Sequence, residues 1–347
     1  MSVIDAMYEA QKLAFGPVYF QVAVCLRELG ILSCISQHRS GISAADIADS
    51  CAVSDYGVSV LLEAAQSAGI VECAEQKYTL TTLGILLKSD PLTNVNINFI
   101  QHVCYDSLKY LQASIVNGRA EGLKVFGDWQ TIYPALSQLP EKARKHWFEF
   151  DHYYSDHAFQ DALKIIFARE PRYIFDIGGN TGRWATECCR YNSDVQVKIL
   201  DLPGQLNMAR DQMTKAGYAN RVDFHQIDLL DPFQKIPQGA DAIWMSQLLD
   251  CFAREDIVRI LQNVCQAAGK HTFIYILEPF IDNQRFEAAR YSLTATSIYF
   301  TAIANGNSKM YSRQEMLAMA AEAGLDLVQQ HELIGDSYHT VLELCRR

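Results

Sequence analysis

The sequence predicts an α/β fold in which a mostly parallel sheet follows a smaller, mostly helical domain. The apolar run at 173–177 ends in a turn rich in glycine, and the residues after it, 183–189, have a helical pattern. Four further strand patterns follow at 195–201, 222–227, 241–246 and 272–277, with helices predicted between strands. Alternating strands and helices are typical of a parallel sheet that binds its ligand at the carboxyl ends of the strands.

The glycine-rich turn is the first candidate binding element. Gly178, Gly179 and Gly182 allow the backbone to adopt a positive φ or to approach a ligand closely. Asn180 lies among them, and asparagine tolerates the left-handed region better than most residues. The free N–H groups of the following helix face the same edge of the sheet. We therefore expect this turn to contact a nucleotide-like ligand.

Acidic residues follow the next two strands. Asp201, with Leu202 beside it, ends the second strand of this sheet, where a carboxylate can accept both hydroxyls of a ribose. Asp228 and Leu229 follow the third strand, within reach of an adenine. The chain lacks a regular G-x-G-x-x-G and a second set of mononucleotide-binding strands, so a dinucleotide is disfavoured.

The ordered motifs FDIGGNTG, LDLPG, IDLLDPF, LLDCFAREDIVRIL and LEPF resemble those of class I S-adenosylmethionine (SAM) methyltransferases. More narrowly, they resemble the small-molecule O-methyltransferases of the caffeate and hydroxyindole type. The resemblance implies a Rossmann-like sheet whose last strand is antiparallel, SAM as cosubstrate and S-adenosylhomocysteine as product. It also implies that Asp176 orders the turn or contacts the amino-acid end of SAM, and that Met245 and Ser246 contact SAM mainly through their backbone.

Composition restricts the partners. The chain has 347 residues and a net charge of −10, which argues against nucleic acid and anionic membranes. Its first 20 residues lack a basic segment and no 18-residue apolar run follows, so we expect neither a signal peptide nor a membrane span. Ten scattered cysteines suggest buried free thiols in a reducing cytoplasm, and no cluster has metal-ligand spacing.

Residues 1–92 are predicted to form a winged helix, with Ser43 and Ser54 as helix caps before a small hairpin. A winged helix raises the alternative of a small-molecule-sensing regulator that binds DNA. Residues 1–90 carry five Lys or Arg against ten Asp or Glu, and the predicted recognition helix at 55–67 has no basic residue. Because phosphate neutralisation supplies most non-specific DNA affinity, DNA binding is disfavoured. The resemblance instead implies a homodimerisation domain.

Residues 93–162 are predicted to be a helical connector that lines the pocket, and 163–347 the catalytic domain. We expect one long helix over 94–114 and another over 141–162. The second carries a polar-aromatic run, and the resemblance places its Tyr153 and Tyr154 against the cosubstrate and the acceptor. Tyr299, in a helix predicted over 286–304, is a further pocket candidate. These aromatic helices favour a flat apolar ligand.

The expected catalytic base is missing. Methyl transfer to a phenol near pH 7 benefits from a proton acceptor, since the pKa of a phenol is about 10. In the family pattern a histidine does this in a Leu-His-Asp-Trp segment, but here Leu249 has its place, followed by Asp250. We place both residues in the substrate pocket.

Three interpretations of Leu249 remain open. In the first, the base lies elsewhere, with His102, His152 and His157 as candidates. In the second, the acceptor ionises easily or reacts through carbon. In the third, the fold carries out a non-methyl reaction such as decarboxylation. Glu278 follows the fifth strand, where the family often has an acid that orients the acceptor or its base. The function we predict is SAM-dependent methylation, most plausibly of oxygen, of a small aromatic or polyketide-like acceptor.

Overall fold

The computed structural model describes residues 1–335 and 339–347, and it divides into two compact units at residues 1–101 and 102–347. The predicted three-part division at residues 92 and 162 stays a prediction. No single helix among the described residues is long and apolar enough to cross a membrane. One pair of helices, Gly16–Glu28 and Ile31–Gln37, passes the same test together but is bent by 60°.

The first unit contains seven helices and a hairpin among its described residues. The elements are α1 Val3–Ala14, α2 Gly16–Glu28, α3 Ile31–Gln37, α4 Ala44–Cys51, α5 Asp55–Ser67, β1 Val71–Ala74, β2 Lys77–Leu80, α6 Thr82–Ser89 and α7 Pro91–Phe99. The Ser43 and Ser54 side chains accept from the third backbone N–H of α4 and α5, so both predicted caps are confirmed. The core of this unit is formed mainly by apolar residues of α3, α4 and α5.

The expected single helix over 94–114 is wrong. After α7, the chain forms a π-helix at Ile100–Cys104, a 3₁₀ turn at Ser107–Tyr110 and then α8 at Leu111–Asn117. The weak helix formers at 94, 96 and 98 are asparagines that lie within α7, so helix propensity does not explain the change that begins at Ile100.

The second unit begins with short 3₁₀ turns and a long helix, and then forms the sheet. Its remaining regular elements are α9 Glu141–Phe167, β3 Tyr173–Ile177, α10 Arg183–Tyr191, β4 Gln196–Asp201, α11 Pro203–Ala216, β5 Val222–Gln226, β6 Ala242–Ser246, α12 Arg254–Ala267, β7 Phe273–Glu278, α13 Glu287–Tyr299, α14 Arg313–Glu322, β8 Leu325–Ile334 and β9 His339–Arg346. Helix α13 continues as a π-helix at Phe300–Ala304, where the sequence predicted one helix to residue 304.

Within the described residues, seven strands form one sheet in the order β5-β4-β3-β6-β7-β9-β8. Strands β3 to β7 are mutually parallel and β9 is antiparallel to β7, so the predicted α/β class and its antiparallel last strand are confirmed. Strands β3, β6 and β7 are buried on both faces, as their near-continuous apolar sequences require.

The strand order places a topological switch point between β3 and β6. Strands β4 and β5 extend the sheet to one side of β3, while β6 and β7 extend it to the other. The strand order therefore reverses between β3 and β6, and the connections that follow these two strands run in opposite directions. Open α/β sheets bind ligands in the crevice that forms at such a point. The glycine-rich turn follows β3 directly, and Met245 on β6 pairs with Ile177.

Candidate functional site

The glycine-rich turn has the backbone geometry that its sequence predicts. Gly178 and Gly182 have φ of 72° and 79°, and Asn180 has φ of 50°. A Cβ added at Gly178 would lie 2.5 Å from Leu248 Cδ1, and one at Gly179 would lie 2.6 Å from Asp176 Oδ2. The turn therefore passes too close to its neighbours for larger residues at these two positions.

Asp176 lies beneath this turn. It is 2% exposed, and its Oδ2 has no hydrogen-bond partner among the described residues. Burial, together with the nearby charge of Asp201, raises the pKa of Asp176 to about 8. A carboxyl group that is neutral at pH 7 can donate a hydrogen bond as well as accept one. Asp176 can therefore order the turn or contact a ligand above it.

Asp201 faces the turn from the end of β4. Its Oδ2 accepts from the backbone N–H of Asn180 at 2.8 Å, and its Oδ1 accepts from that of Leu202 at 2.7 Å. Burial raises the pKa of Asp201 to about 6, while the two N–H donors oppose the rise. Each carboxylate oxygen has a second lone pair, so the side chain is fixed in place and still able to accept from a diol.

Asp228 and Leu229 follow β5 at the same edge of the sheet. Asp228 is exposed, its Oδ1 accepts from the backbone N–H of Leu230 at 2.9 Å, and its own N–H donates to Gln234 Oε1 at 2.8 Å. Leu229 is half-buried and packs against the core of the sheet domain. At the end of β6, Met245 is fully buried and Ser246 has a buried hydroxyl without a partner among the described residues.

The segment after β6 forms a 3₁₀ turn at Leu249–Cys251. Leu249 is fully buried and packs within the hydrophobic core, while its backbone N–H donates to Glu278 Oε1 at 3.0 Å. Asp250 is 6% exposed, and its Oδ1 accepts weakly from the Cys251 thiol at 3.4 Å. Burial raises the pKa of Asp250, and burial together with the charge of Asp250 raises that of Glu278 well above its usual range.

Sequence reasoning missed Asp151. The side chain of Asn180 donates from Nδ2 to Asp151 Oδ2 at 3.0 Å, which joins α9 to the glycine-rich turn. Burial and the charges of Asp250 and Asp156 raise the pKa of Asp151 to about 7. A signal was present, because Asp151 lies four residues after Trp147 and three before Tyr154, on one face of α9.

A buried polar-aromatic group joins α9 to α13. Trp147 Nε1 donates to the hydroxyl of Tyr299 at 2.7 Å, and Tyr299 is 6% exposed. Burial raises the pKa of Tyr299 well above its ordinary value, and smaller contributions come from Cys251 and Asp151. Tyr133 is a further group that the sequence did not single out; burial and then Cys251 raise its pKa. The predicted pocket residue Tyr299 is thus brought towards Asp151 and the turn after β6.

Tyr153 and Tyr154 lie on different faces of α9. Tyr154 is 8% exposed, and its ring centroid lies 4.8 Å from that of Phe150. Tyr153 packs against His157 with ring centroids 4.6 Å apart. Their assignment to the pocket stays a prediction, and the helical spacing places Tyr154 rather than Tyr153 on the face of Asp151.

The three histidine candidates are spread along the helical part of this unit. His102 stacks on His146 with ring centroids 4.6 Å apart. His152 Nδ1 lies 3.7 Å from Asp151 Oδ2, and burial, with the charge of Arg183, lowers its pKa to about 3. His157 contacts Tyr153. Their catalytic roles remain predictions, although a pKa near 3 makes His152 a weak proton acceptor at pH 7.

The polar groups around the glycine-rich turn suit a nucleoside with a charged amino-acid tail. Asp201 offers acceptor lone pairs beside a turn whose geometry excludes side chains at Gly178 and Gly179, and Asp151 and Asp176 supply polar groups at its other end. Among residues 1–335 and 339–347, no group of three or more His, Cys, Asp or Glu is arranged to hold a metal ion.

Comparison with known proteins identifies the family. A family model described as an O-methyltransferase domain matches residues 108–326, which is more than half of the chain. The chain belongs to this O-methyltransferase family. A second model, described as a Dimerisation2-like domain, matches residues 8–78. The family uses S-adenosylmethionine, so the predicted family, methyl-transfer activity and cosubstrate are confirmed.

Individual relatives are distant. The L-tyrosine C(3)-methyltransferase of Streptomyces lavendulae is 21% identical over 305 residues, covering 86% of this chain and 81% of that protein. PigF, solved with S-adenosylhomocysteine, superposes with a TM-score of 0.75 at 20% identity over 100% of both chains. NcsB1 is an O-methyltransferase of neocarzinostatin biosynthesis that was solved with SAM and 2-hydroxy-5-methyl naphthoic acid. It superposes with a TM-score of 0.71 at 18% sequence identity, over 96% of this chain and 96% of that chain. The two alternative functions, decarboxylation and small-molecule-sensing regulation, receive no support from these comparisons.

Proposed function

We propose that this methyltransferase transfers the methyl group of SAM to a hydroxyl of a small aromatic or polyketide-like acceptor. The observation that carries the proposal is the Asp201 carboxylate, fixed by two backbone N–H groups beside a glycine-rich turn at the switch point of the sheet. The acceptor class is supported by NcsB1, whose structure holds a naphthoic acid, and by the aromatic side chains of α9 and α13.

Different residues would bind the two substrates of such a reaction. Gly178, Gly179, Asn180 and Asp201 would hold the nucleoside part of SAM, whose sulfonium activates the methyl group for displacement. The acceptor would then lie towards Tyr299 and Asp250. Holding both partners in line removes up to about 7–11 kcal/mol from the barrier of the best intramolecular reactions.

Titration calorimetry with SAM and S-adenosylhomocysteine tests the cosubstrate site. We expect micromolar binding by wild type and at least tenfold weaker binding by Asp201→Asn, a loss of about 1.4 kcal/mol or more. Asp211→Asn is the matched control, because Asp211 is exposed on α11 in the same domain. Absence of binding by wild type to either ligand would rule out the proposed function.

We also propose that the first unit is a winged-helix homodimerisation domain of a cytoplasmic enzyme. The match to a Dimerisation2-like domain supports it, as does α1, which buries none of its residues although Ile4, Met7 and Tyr8 lie on it. The ten cysteines, all within the described residues, form no disulfide, which fits a reducing compartment. Sedimentation equilibrium should give a dimer, and Met7→Glu should weaken it; a monomeric wild type would contradict the proposal.

A further inference from the structure

The proposed reaction needs a group that removes the acceptor's proton, and Leu249 cannot supply one. The family pattern has a histidine at this place, whereas Leu249 is an apolar side chain with no exposed surface, packed in the core of the sheet domain. For an acceptor hydroxyl that is not already ionised, the base is therefore another residue.

Asp250 is placed for this role by the fold around it. It lies four residues beyond Ser246, the last residue of β6, and β6 pairs with the strand that carries the glycine-rich turn. Its 3₁₀ turn is held by two contacts from distant parts of the chain. The backbone N–H of Leu249 donates to Glu278 Oε1 at 3.0 Å, and Asn305 Nδ2 donates to the carbonyl oxygen of Cys251 at 2.6 Å.

The charges around Asp250 connect it to the SAM-binding turn. Asp250 acts electrostatically on Asp151 of α9 and on Glu278 of β7, and in each case it is the largest cause after burial of a raised pKa. Asp151 in turn accepts a hydrogen bond from Asn180, whose backbone N–H donates to Asp201. Asp250 therefore lies near enough to Asp151 for its charge to act on that residue, and Asp151 is joined by hydrogen bonds through Asn180 to the expected ribose site.

Glu278 supplies an independent observation at the same place. It is 3% exposed, and its Oε2 has no hydrogen-bond partner in the part of the chain that the structure describes. Burial and the charge of Asp250 raise the pKa of Glu278, because each disfavours its ionised form. Ionisation of both neighbouring carboxyl groups at once is therefore disfavoured, so that one can hold a proton while the other is charged.

We propose that Asp250 is the general base of this methyltransferase and replaces the histidine for which the chain has Leu249; this inference rests on the proposed function. One Asp250 carboxylate oxygen takes the proton of the acceptor hydroxyl. The acceptor oxygen forms its bond to the methyl carbon while the carbon–sulfur bond breaks and leaves its electron pair on sulfur. The products are the methyl ether, S-adenosylhomocysteine and protonated Asp250, which then releases its proton to solvent.

The histidine candidates are less suited to this step. His152 lies beside Arg183, which together with burial keeps it neutral and weakly basic. His102 stacks on the ring of His146, and His157 packs against the ring of Tyr153. Asp250, in contrast, lies within the turn that follows β6.

The test compares acceptors that differ in acidity. Wild type, Asp250→Asn and the exposed control Asp211→Asn are assayed at about pH 8 with SAM and a panel of catechols and naphthols, each paired with its nitro derivative. The nitro-substituted phenols are already largely ionised at this pH. With unsubstituted phenols we expect Asp250→Asn to lower kcat at least 100-fold, within the 10²–10⁴ range typical of a general base. With nitro derivatives the loss should be less than about fivefold, because no proton remains to be removed.

Binding of S-adenosylhomocysteine separates the possible failures. The affinity of Asp250→Asn should stay within about threefold of wild type, which shows that the variant is folded and its SAM site intact. An equal loss with both classes of phenol, or retention of most activity with the unsubstituted ones, would overturn the assignment. If wild type binds S-adenosylhomocysteine but methylates no phenol of the panel, both the assignment of Asp250 and the proposal of a hydroxyl acceptor would be overturned. Wild type that does not bind the ligand would overturn the proposed function itself.

Discussion

The proposed SAM side and the proposed acceptor side of this site are assembled in different ways. On the proposed SAM side, Asp176, the glycine-rich turn and Asp201 all lie at the ends of two adjacent parallel strands, and backbone N–H groups make the contacts. On the proposed acceptor side, the residues come from four separate segments of the chain and interact through side-chain hydrogen bonds and charges; they are Asp151, Asp250, Glu278 and Tyr299. Backbone contacts depend on strand order and a few glycines, whereas side-chain contacts depend on how distant elements pack.

The two sides also differ in how their negative charges are compensated. Asp201 has two N–H donors, which oppose the rise that burial causes in its pKa. Asp250 has only the weak Cys251 thiol as a side-chain donor among the described residues, and its charge raises the pKa values of Asp151 and Glu278. A compensated carboxylate suits the binding of a neutral diol, whereas an uncompensated one suits the uptake of a proton.

The largest effect should come from the turn itself. Gly178→Ala adds a methyl group 2.5 Å from Leu248 Cδ1 at a φ of 72°, so we expect SAM affinity to fall roughly 100-fold, or about 2.7 kcal/mol. Gly217→Ala is the matched control, because Gly217 has φ of 79° and open space around it. Similar SAM affinities of the two variants in calorimetry would show that the close approach at Gly178 is not needed.

In the absence of SAM, the buried carboxyl groups should make the stability of the protein depend on pH. The pKa values of Asp151, Asp176 and Asp201 are raised to about 7, 8 and 6, whereas an unfolded chain has values near 4. The native state therefore binds more protons than the unfolded state between about pH 4 and 8, and the free energy of unfolding falls as pH rises through this window.

Asp176→Asn isolates the SAM-side contribution to this slope. In the variant, the free energy of unfolding should fall less steeply with pH between the unfolded and folded pKa values of Asp176. The difference in slope should be up to about 1.4 kcal/mol per pH unit, which corresponds to one proton. Urea unfolding of wild type and variant across this range measures the difference. Parallel stability curves would mean that Asp176 is already ionised in the native protein.

The smallest effect should come from the acceptor side, where Tyr299→Phe removes the hydroxyl that accepts from Trp147 Nε1. A buried indole N–H without a partner costs about 1–3 kcal/mol, so we expect urea unfolding to show a free energy of unfolding lower by about 1 kcal/mol, the low end of that range. SAM affinity should be unchanged. Tyr291→Phe, on the same helix with Tyr291 74% exposed, is the control. A weaker SAM affinity in Tyr299→Phe would show that the two sides are coupled.

Most of the sheet could be predicted from sequence because each strand carries its own signal. The five parallel strands are apolar runs, and the two caps at Ser43 and Ser54 are local hydrogen bonds between residues three apart. The helix expected over 94–114 failed because its continuity depended on tertiary packing as well as on local propensity. Asp151 was missed for a related reason, since its partner Asn180 lies 29 positions away in the chain.

The sequence by itself determined the α/β class and the family, and it predicted a position for the SAM site, because glycine geometry and strand-end carboxylates are encoded within a few consecutive residues. It also showed that the expected histidine is Leu249. Only the tertiary structure decided which groups surround that leucine. Packing of α9, β7 and α13 around the end of β6 brings Asp151, Glu278 and Tyr299 towards Asp250. Burial then raises the pKa values of these groups, and no local sequence pattern specifies burial of this kind.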